Sequence, residues 1–530
     1  MKRLLALVLV LTLVLCLFTG CRQSQESADS GTQTAANGTE NGTKAPDNTG
    51  KSGKDTLVVA VNSGPADLDP HGSTDQNTYD VRYQIYEALV YVDAAGDVCP
   101  QLATDLTWED PYTLLLTLRK DVKFSNGSDF TAEDVMFSLR RAANSSFASS
   151  YLEYVDLDAS TITDDGNVRL VVTQPVGALT SRLALVMMID KETWESNGEE
   201  YMLEHPVGTG AYTLVEWVDG DRLDFTANEN YWGGAPYFKN LTMRIISESA
   251  SRALEIEAGT VDVSLQVQSA DLSVLESNSD VQLNISPAYM ITYLGYDCSI
   301  APYNDVRVRQ ALSYALDRTA ICDLVYGELA APATVGRLSE VYWGYAGDVL
   351  PHVEQNVEKA KELLTDAGYA DGFTMKLLVS EAEQDQMDMS ELIQNQLGAI
   401  GVSVEIEVME NATYLDTIVE GGFEAFLCNS SGSSADPGEA FKSFISTRPT
   451  WSNTTRYINE DLTNMIIEGQ QMVDETEKYE QFLEIQRIVA EECPWVFIAH
   501  NCTAFATRTD IQGLHVYPSY AHFFKEAYMN

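Results

Sequence analysis

The sequence predicts an exported α/β protein whose body is too long for a single hydrophobic core. Three observations predict it: an apolar leader that ends in a cysteine, the length that follows, and strands that alternate with helices along that length. Lys2 and Arg3 precede an apolar run from Leu4 to Phe18, and Thr19, Gly20 and Cys21 follow it. A short basic stretch, an apolar core and small residues at a cut site describe a secretory signal over residues 1–20. The run is shorter than the about twenty apolar residues that a membrane-spanning helix needs. From Arg22 to Asp55 the chain carries no large apolar residue. Such a segment cannot bury enough surface to offset its ordering entropy, so residues 21–55 are expected to form a flexible tether. A coil of that length reaches roughly 30 Å.

The remainder, 56–530, exceeds the about 250–300 residues at which one core stops growing, so two or more lobes are expected. No later stretch is long and apolar enough to span a membrane. Lys and Arg number 33 against 79 Asp and Glu, a formal charge of −46. That balance argues against a nucleic-acid partner, which needs a basic footprint. It describes a solvated acidic surface that favours solubility.

Each element has its own signal. Leu57 to Val61 is a compact apolar strand that stops at Asn62-Ser63-Gly64-Pro65. Thr113 to Leu118 is a second strand, and Asn126-Gly127 is a tight-turn pair. Thr131 with Asp134 three residues on opens a helix that carries Val135, Met136 and Leu139 on one face. From Asp305, Val308, Ala311, Leu312, Ala315 and Leu316 recur at helical spacing, with Arg307 and Arg309 assigned to the polar face. Asn356 opens another helix, with Ala360, Leu363, Leu364 and Ala367 inside and Gly368 as its stop. A helix ending near Ala399 is followed by Val402, Val404, Ile406 and Val408, the alternation of a half-buried strand. Past the leader and Cys21, six cysteines remain: Cys99, Cys298, Cys322, Cys428, Cys493 and Cys502. None forms a C-x-x-C, and their spacing selects no pairing.

Several stretches, in order, resemble the extracellular solute-binding proteins of family 5, which serve oligopeptide and dipeptide importers. They are Leu68-Asp69-Pro70-His71, Ile85 to Leu89, Leu118 to Gly127 running into Thr131 to Val135, and Pro206 to Tyr212. Asn228 to Gly234, Asn304 to Leu312, Ala315 to Arg318, Lys359 to Tyr369 and Gln396 to Val402 complete the set. Cys21 after Thr-Gly likewise resembles the lipobox cysteine of bacterial lipoproteins, with Phe18 where that motif usually has Leu. The resemblance implies a two-lobe, Venus-flytrap fold of the periplasmic-binding-protein type, with an extra subdomain in the first lobe. On that pattern residues 56–86, 206–290 and 494–530 make the first lobe, 87–205 the extra subdomain, and 291–493 the second lobe. It also implies capture of a peptide or other small molecule between the lobes, delivery to the permease subunits of an ABC transporter, and a monomer. Lipid on Cys21 would hold the chain on the outer face of the cell membrane, or in a periplasm where there is an outer membrane.

In peptide-binding members the ligand lies extended and adds to strands of both lobes. Two segments match those positions: Thr74, Asp75, Gln76 and Asn77 after the Asp-Pro-His stretch, and Asn429, Ser430, Ser431, Ser433 and Asp436 after the strand at Phe423 to Leu427. Here the chain departs from the family pattern. Ser430 stands where a Trp is usual, and Ser433 where an Asp pairs with the ligand's α-ammonium. Asp436 precedes Pro437 in the cap pattern of a helix start, so a capping role and a ligand role are both open. Trp232 is assigned to packing. Trp343 and Trp451 are candidate platforms for a sugar, and the six histidines are too scattered for a metal complex. No nucleophile elbow, zinc-binding helix, phosphate loop or dinucleotide fingerprint is present, so a secreted hydrolase is the competing class without a motif behind it. No catalytic residue, metal or cofactor is expected.

Overall fold

A computed structural model describes residues 53–72, 75–432, 434–472, 474–519 and 521–530. The signal, Cys21, nearly all of the expected tether, Thr74 and Ser433 lie outside the described residues.

The apolar strand at the start of the body is β1 (Thr56–Val61), with Leu57, Val59, Ala60 and Val61 buried. It pairs in parallel with β4 (Asn240–Ile245) and β5 (Val263–Leu265). Next to β4 stand β3 (Arg222–Ala227) and then β2 (Tyr212–Val218), both antiparallel. Two long strands continue the sheet, β6 (Val281–Tyr296) and β11 (Val496–Arg508). Beyond them come β10 (Ala425–Ser431), β8 (Phe373–Ser380) and β9 (Val402–Met409), while β7 (Ala330–Pro332) pairs off the path with β11. The order β9-β8-β10-β6-β11-β5-β1-β4-β3-β2 is that of one mixed sheet.

β6 and β11 belong to both ends of it. Val281–Ser286 pairs with Thr503–Arg508, next to β5. Met290–Leu294 pairs with Val496–Asn501, next to β7 and β10. The register breaks between Pro287 and Met290, and Ala288 and Tyr289 bulge out of the ladder. The Tyr289 N–H then donates to the Pro518 carbonyl instead of a strand partner. The strand expected to open the first lobe's tail near Pro494 thus contributes to both half-sheets.

Two main cores pack on the sheet, and the second also takes Ala60 of β1. Leu57, Val59, Val61, Tyr212, Phe225, Leu241 and Met243 share one with Phe505, Ile511 and Phe524 from the chain's end. Val308, Leu312, Leu316, Leu364, Leu377, Val379 and Leu397 share another with one face of β11. Each fully buried Val or Leu contributes about 1.5–3 kcal/mol. The helices expected from periodicity form at Ala132–Ala143, Val306–Ala315, Val357–Asp366 and Gln384–Gly398. Asp134 accepts from the Thr131 N–H at 2.8 Å, closing the expected cap.

Residues between Glu87 and His205 carry a four-stranded antiparallel sheet, Ala103–Asp110, Thr113–Leu118, Val168–Val172 and Val155–Ile162, over a third core. Two details differ from expectation. Arg309 is buried rather than on a polar face, because the helix packs against Glu492: its Nε and Nη2 donate to that residue's carbonyl and carboxylate. The strand expected from Phe423 begins at Ala425, Phe423 being spent on packing against Phe426. Among the described residues the six cysteines are free thiols, and no helix is long and apolar enough to cross a membrane.

Candidate functional site

The first candidate segment becomes a helix start rather than a loop. Asp75 caps the helix Gln76–Ile85, its carboxylate accepting from the Thr78 N–H at 3.0 Å. Gln76 donates to Asp80 at 3.0 Å. Asn77 donates to Ser63 at 2.8 Å and accepts from Gln266 at 3.1 Å. The far end of this helix is pressed by Gly208 and Gly210, as the paired glycines suggest. A Cβ on Gly208 would stand 2.1 Å from the Ile85 carbonyl oxygen.

The second candidate segment is the end of β10. Ser431, Ser430 and Asn429 pair with Met290, Ile291 and Thr292 of β6. On its other edge β10 meets β8 only at Ala425 and Phe426. Past Phe426 that edge has no strand partner among the described residues. Asn429 accepts from Thr292 Oγ1 at 2.8 Å, and Thr292 also bonds Asn501, which locks the strand where the sheet changes halves. Ser430 points to the opposite face and accepts from Arg337 Nη2 at 3.1 Å. Asp436 caps the short helix Pro437–Phe441, taking the Gly438 N–H at 2.7 Å on Oδ1 and Lys478 Nζ at 2.6 Å on Oδ2. The Asp75–Asn77 group opens a helix that packs with β1, and the Asn429–Asp436 group lies at the end of β10.

Sequence reasoning missed the contacts that span the gap. Arg182, from the segment 87–205, is buried against Glu439 with Nε at 3.1 Å from Oε1, and Lys442 adds a bond to Oε2 at 3.1 Å. Burial pushes the Glu439 carboxyl up, but Lys442 and Arg182 outweigh it and hold it at about 2. Gly177 N–H donates to the Gln470 carbonyl at 3.0 Å, and Arg448 pairs with Glu153 at 3.2 Å. Gly96 abuts Tyr289, a Cβ there lying 2.9 Å from the tyrosine hydroxyl. None of these residues lies in a recognisable motif, and a lone charge in sequence does not announce a partner hundreds of positions away. Trp232 packs, donating to Glu87 at 2.7 Å beneath the Arg119 guanidinium. Trp343 meets Tyr479 edge-on, while Trp451 is largely exposed. A concavity of about 560 Å³ lined by Leu68, His205, Leu214 and Trp217 holds none of the candidate residues.

Two half-sheets joined by two crossing strands define the two-lobe architecture of the periplasmic binding proteins. The chain belongs to the bacterial extracellular solute-binding proteins, family 5, whose middle-region model matches residues 97–452. The glutathione-binding protein GsiB of Salmonella typhimurium is 28% identical over 484 residues, covering 89% of this chain and 94% of GsiB. Among solved structures, HbpA2 from Haemophilus parasuis matches with a TM-score of 0.80 at 25% identity, covering 90% of this chain and all of that one. DppA from Helicobacter pylori in complex with the peptide STSA matches at 0.78 and 22% identity, covering 89% of this chain and 98% of DppA.

Proposed function

We propose that this chain is the substrate-binding lipoprotein of an ABC importer, taking a dipeptide or oligopeptide between its lobes and delivering it to the permease. The observation that carries this reading is the edge of β10 past Phe426, which no strand covers among the described residues, the Tyr414 hydroxyl donating to the Leu427 carbonyl. Backbone N–H and C=O groups along such an edge bind any extended peptide by strand addition, whatever its side chains. Thr74 to Asn77 on the first lobe and Asn429 to Ser431, Ser433 and Asp436 on the second are the proposed walls. The lobes divide at the Ala288–Tyr289 bulge and at the facing stretch of β11, which serve as the hinge. Closure encloses the ligand at the lobe interface, where small-molecule sites are commonly found, and presents the surface the permease reads. Lipid on Cys21 and the tether 21–55 keep the chain on the outer face of the membrane. The chain acts as a monomer and without catalysis. The similarity to the glutathione-binding protein GsiB, which takes a peptide, supports the substrate class.

A non-peptide solute, such as an oligosaccharide or a metal complex, is the second reading. It is favoured by Asp436, whose two carboxylate oxygens are both engaged within the second lobe. The test is mass spectrometry of solute released on denaturing the full chain, purified in detergent without added ligand. A mixture of short peptides supports the peptide reading. A single non-peptide species leaves the family assignment standing and overturns the substrate class.

A further inference from the structure

Residues 87–205 carry one core of their own and share another with the half-sheet of β1. Leu179 and Leu183, on either side of Arg182, belong to the former. Met187 and Ile189, a few positions on, pack with Leu57 and Met243. The backbone at Arg182 is therefore fixed to the first lobe. Glu439 is fixed to the second, since its neighbours Ala440 and Phe441 are buried with Phe426 and Ile466. Yet Arg182 and Glu439 are each only 5% exposed, and they are buried against each other.

The Arg182 guanidinium donates to one Glu439 carboxylate oxygen through both Nε and Nη2, and Lys442 donates to the other. A second pair runs the opposite way: Glu153 from the segment meets Arg448 of the second lobe at 3.2 Å. Each side thus presents one acid and one arginine to the other. A main-chain bond joins them, from the Gly177 N–H to the Gln470 carbonyl at 3.0 Å. The face that receives Arg182 is held together from within the second lobe. Gln470 Nε2 donates to the Gly438 carbonyl at 2.8 Å, while Asp436 takes the Gly438 N–H and Lys478 Nζ. Lys478 Nζ also stands against the segment, 3.2 Å from where a Cβ on Gly177 would lie.

We propose that residues 87–205 are the closure latch of this chain: Arg182 enters the Glu439–Lys442 socket as the lobes come together and leaves it as they part. This rests on the reading that solute is enclosed between the lobes. With the lobes apart, Arg182 and Glu439 are hydrated, and closing strips that water. The desolvation is offset only when the pair is complete. An intact pair therefore adds little net stability to the closed form, and the lobes part again readily, as release to a permease requires. Loss of one partner leaves an uncompensated buried charge in the closed form and holds the lobes apart. Solute is coupled to the latch through Asp436, the proposed wall residue that also caps the helix carrying Glu439.

Amide hydrogen exchange read by mass spectrometry tests this, on the full chain in detergent after unfolding and refolding to strip bound solute. The variants are Arg182→Met, Glu439→Gln and the double Arg182→Met/Glu439→Met. Each single substitution should speed exchange of the amides of 176–186 and 437–445 at least about ten-fold, because both faces are uncovered. The double variant buries no unpaired charge and should return both segments to the wild-type rate. Exchange at Thr113–Leu118 and Phe373–Ser380, inside the sheets of the two sides, should not change. Unchanged exchange in the single variants overturns the proposal, as does a double variant as fast as they are. Faster exchange at Thr113–Leu118 or Phe373–Ser380 overturns it too, by making the pair an element of the fold and not of closure. Ala-Ala-Ala and glutathione are then added to the wild type. Slower exchange at both segments with either one supports the latch and the peptide reading together. No change with either, while the single substitutions still open the segments, supports the latch and overturns the peptide reading.

Discussion

Asp436 shows how a residue's job is set by its immediate neighbours. Followed by Pro437, it presents one oxygen to the Gly438 N–H and the other to Lys478. Asp436→Ala is expected to cost about 1–2 kcal/mol, the usual range for a lost cap, with an added loss from the half-buried Lys478 pair. Urea unfolding of the variant measures it. Two histidines carry the pH dependence at this scale. Burial holds His71 and His500 at about 4 against an ordinary 6.5, so both are neutral in the fold. Their folded values are depressed, so their contribution is complete above 6.5 and is lost as the pH falls through about 4. The urea midpoint should therefore drop across that window, and His500→Gln should flatten the slope. Residue-level roles were the least legible in the sequence. Arg309 read as a surface cation, yet it is buried on Glu492. Helical spacing fixes a face, but the identity of what packs on that face comes from elements far along the chain.

Elements were legible wherever their period and punctuation agreed. The Thr131–Asp134 cap, the Asn356 start with the Gly368 stop, and the alternation from Val402 all correspond to formed elements. Gly208 and Gly210 lie in the Pro206 to Tyr212 stretch that carried the resemblance, and both press on the end of the Gln76–Ile85 helix. Gly208→Ala would drive a Cβ into the Ile85 carbonyl oxygen, which cannot move without uncoiling the helix end. A loss of about 1–3 kcal/mol or more is expected, read as a lower urea midpoint. What the sequence hid was the Ala288–Tyr289 bulge. Pro287, just before it, is the one mark of an interruption in the run from Val281 to Tyr296, and the bulged Tyr289 is held by Pro518 and Gly432. The position of the candidate walls was legible only through the resemblance. The first of them proves to be a helix start, capped by Asp75.

For the whole body, the acidic excess and the sheet topology set the behaviour. With 79 acidic against 33 basic side chains, self-repulsion opposes compaction. Raising sodium chloride from about 0.01 M to about 0.3 M shortens the screening length several-fold. The thermal midpoint should rise with it, as followed by tryptophan fluorescence; a fall would mean that the ion pairs outweigh the repulsion.

The last described residues are structural partners of β1. Phe505, Ile511 and Phe524 sit in the core of Leu57 and Val59, and Gln84 donates to the His522 carbonyl at 2.8 Å. A core that joins Leu57 to Phe524 cannot be completed while the ribosome still holds the later residue. For a polypeptide that is threaded through a membrane before it folds, this is an advantage: the topology itself delays the finished structure until the whole chain has crossed, leaving a pliable strand for the export machinery to move.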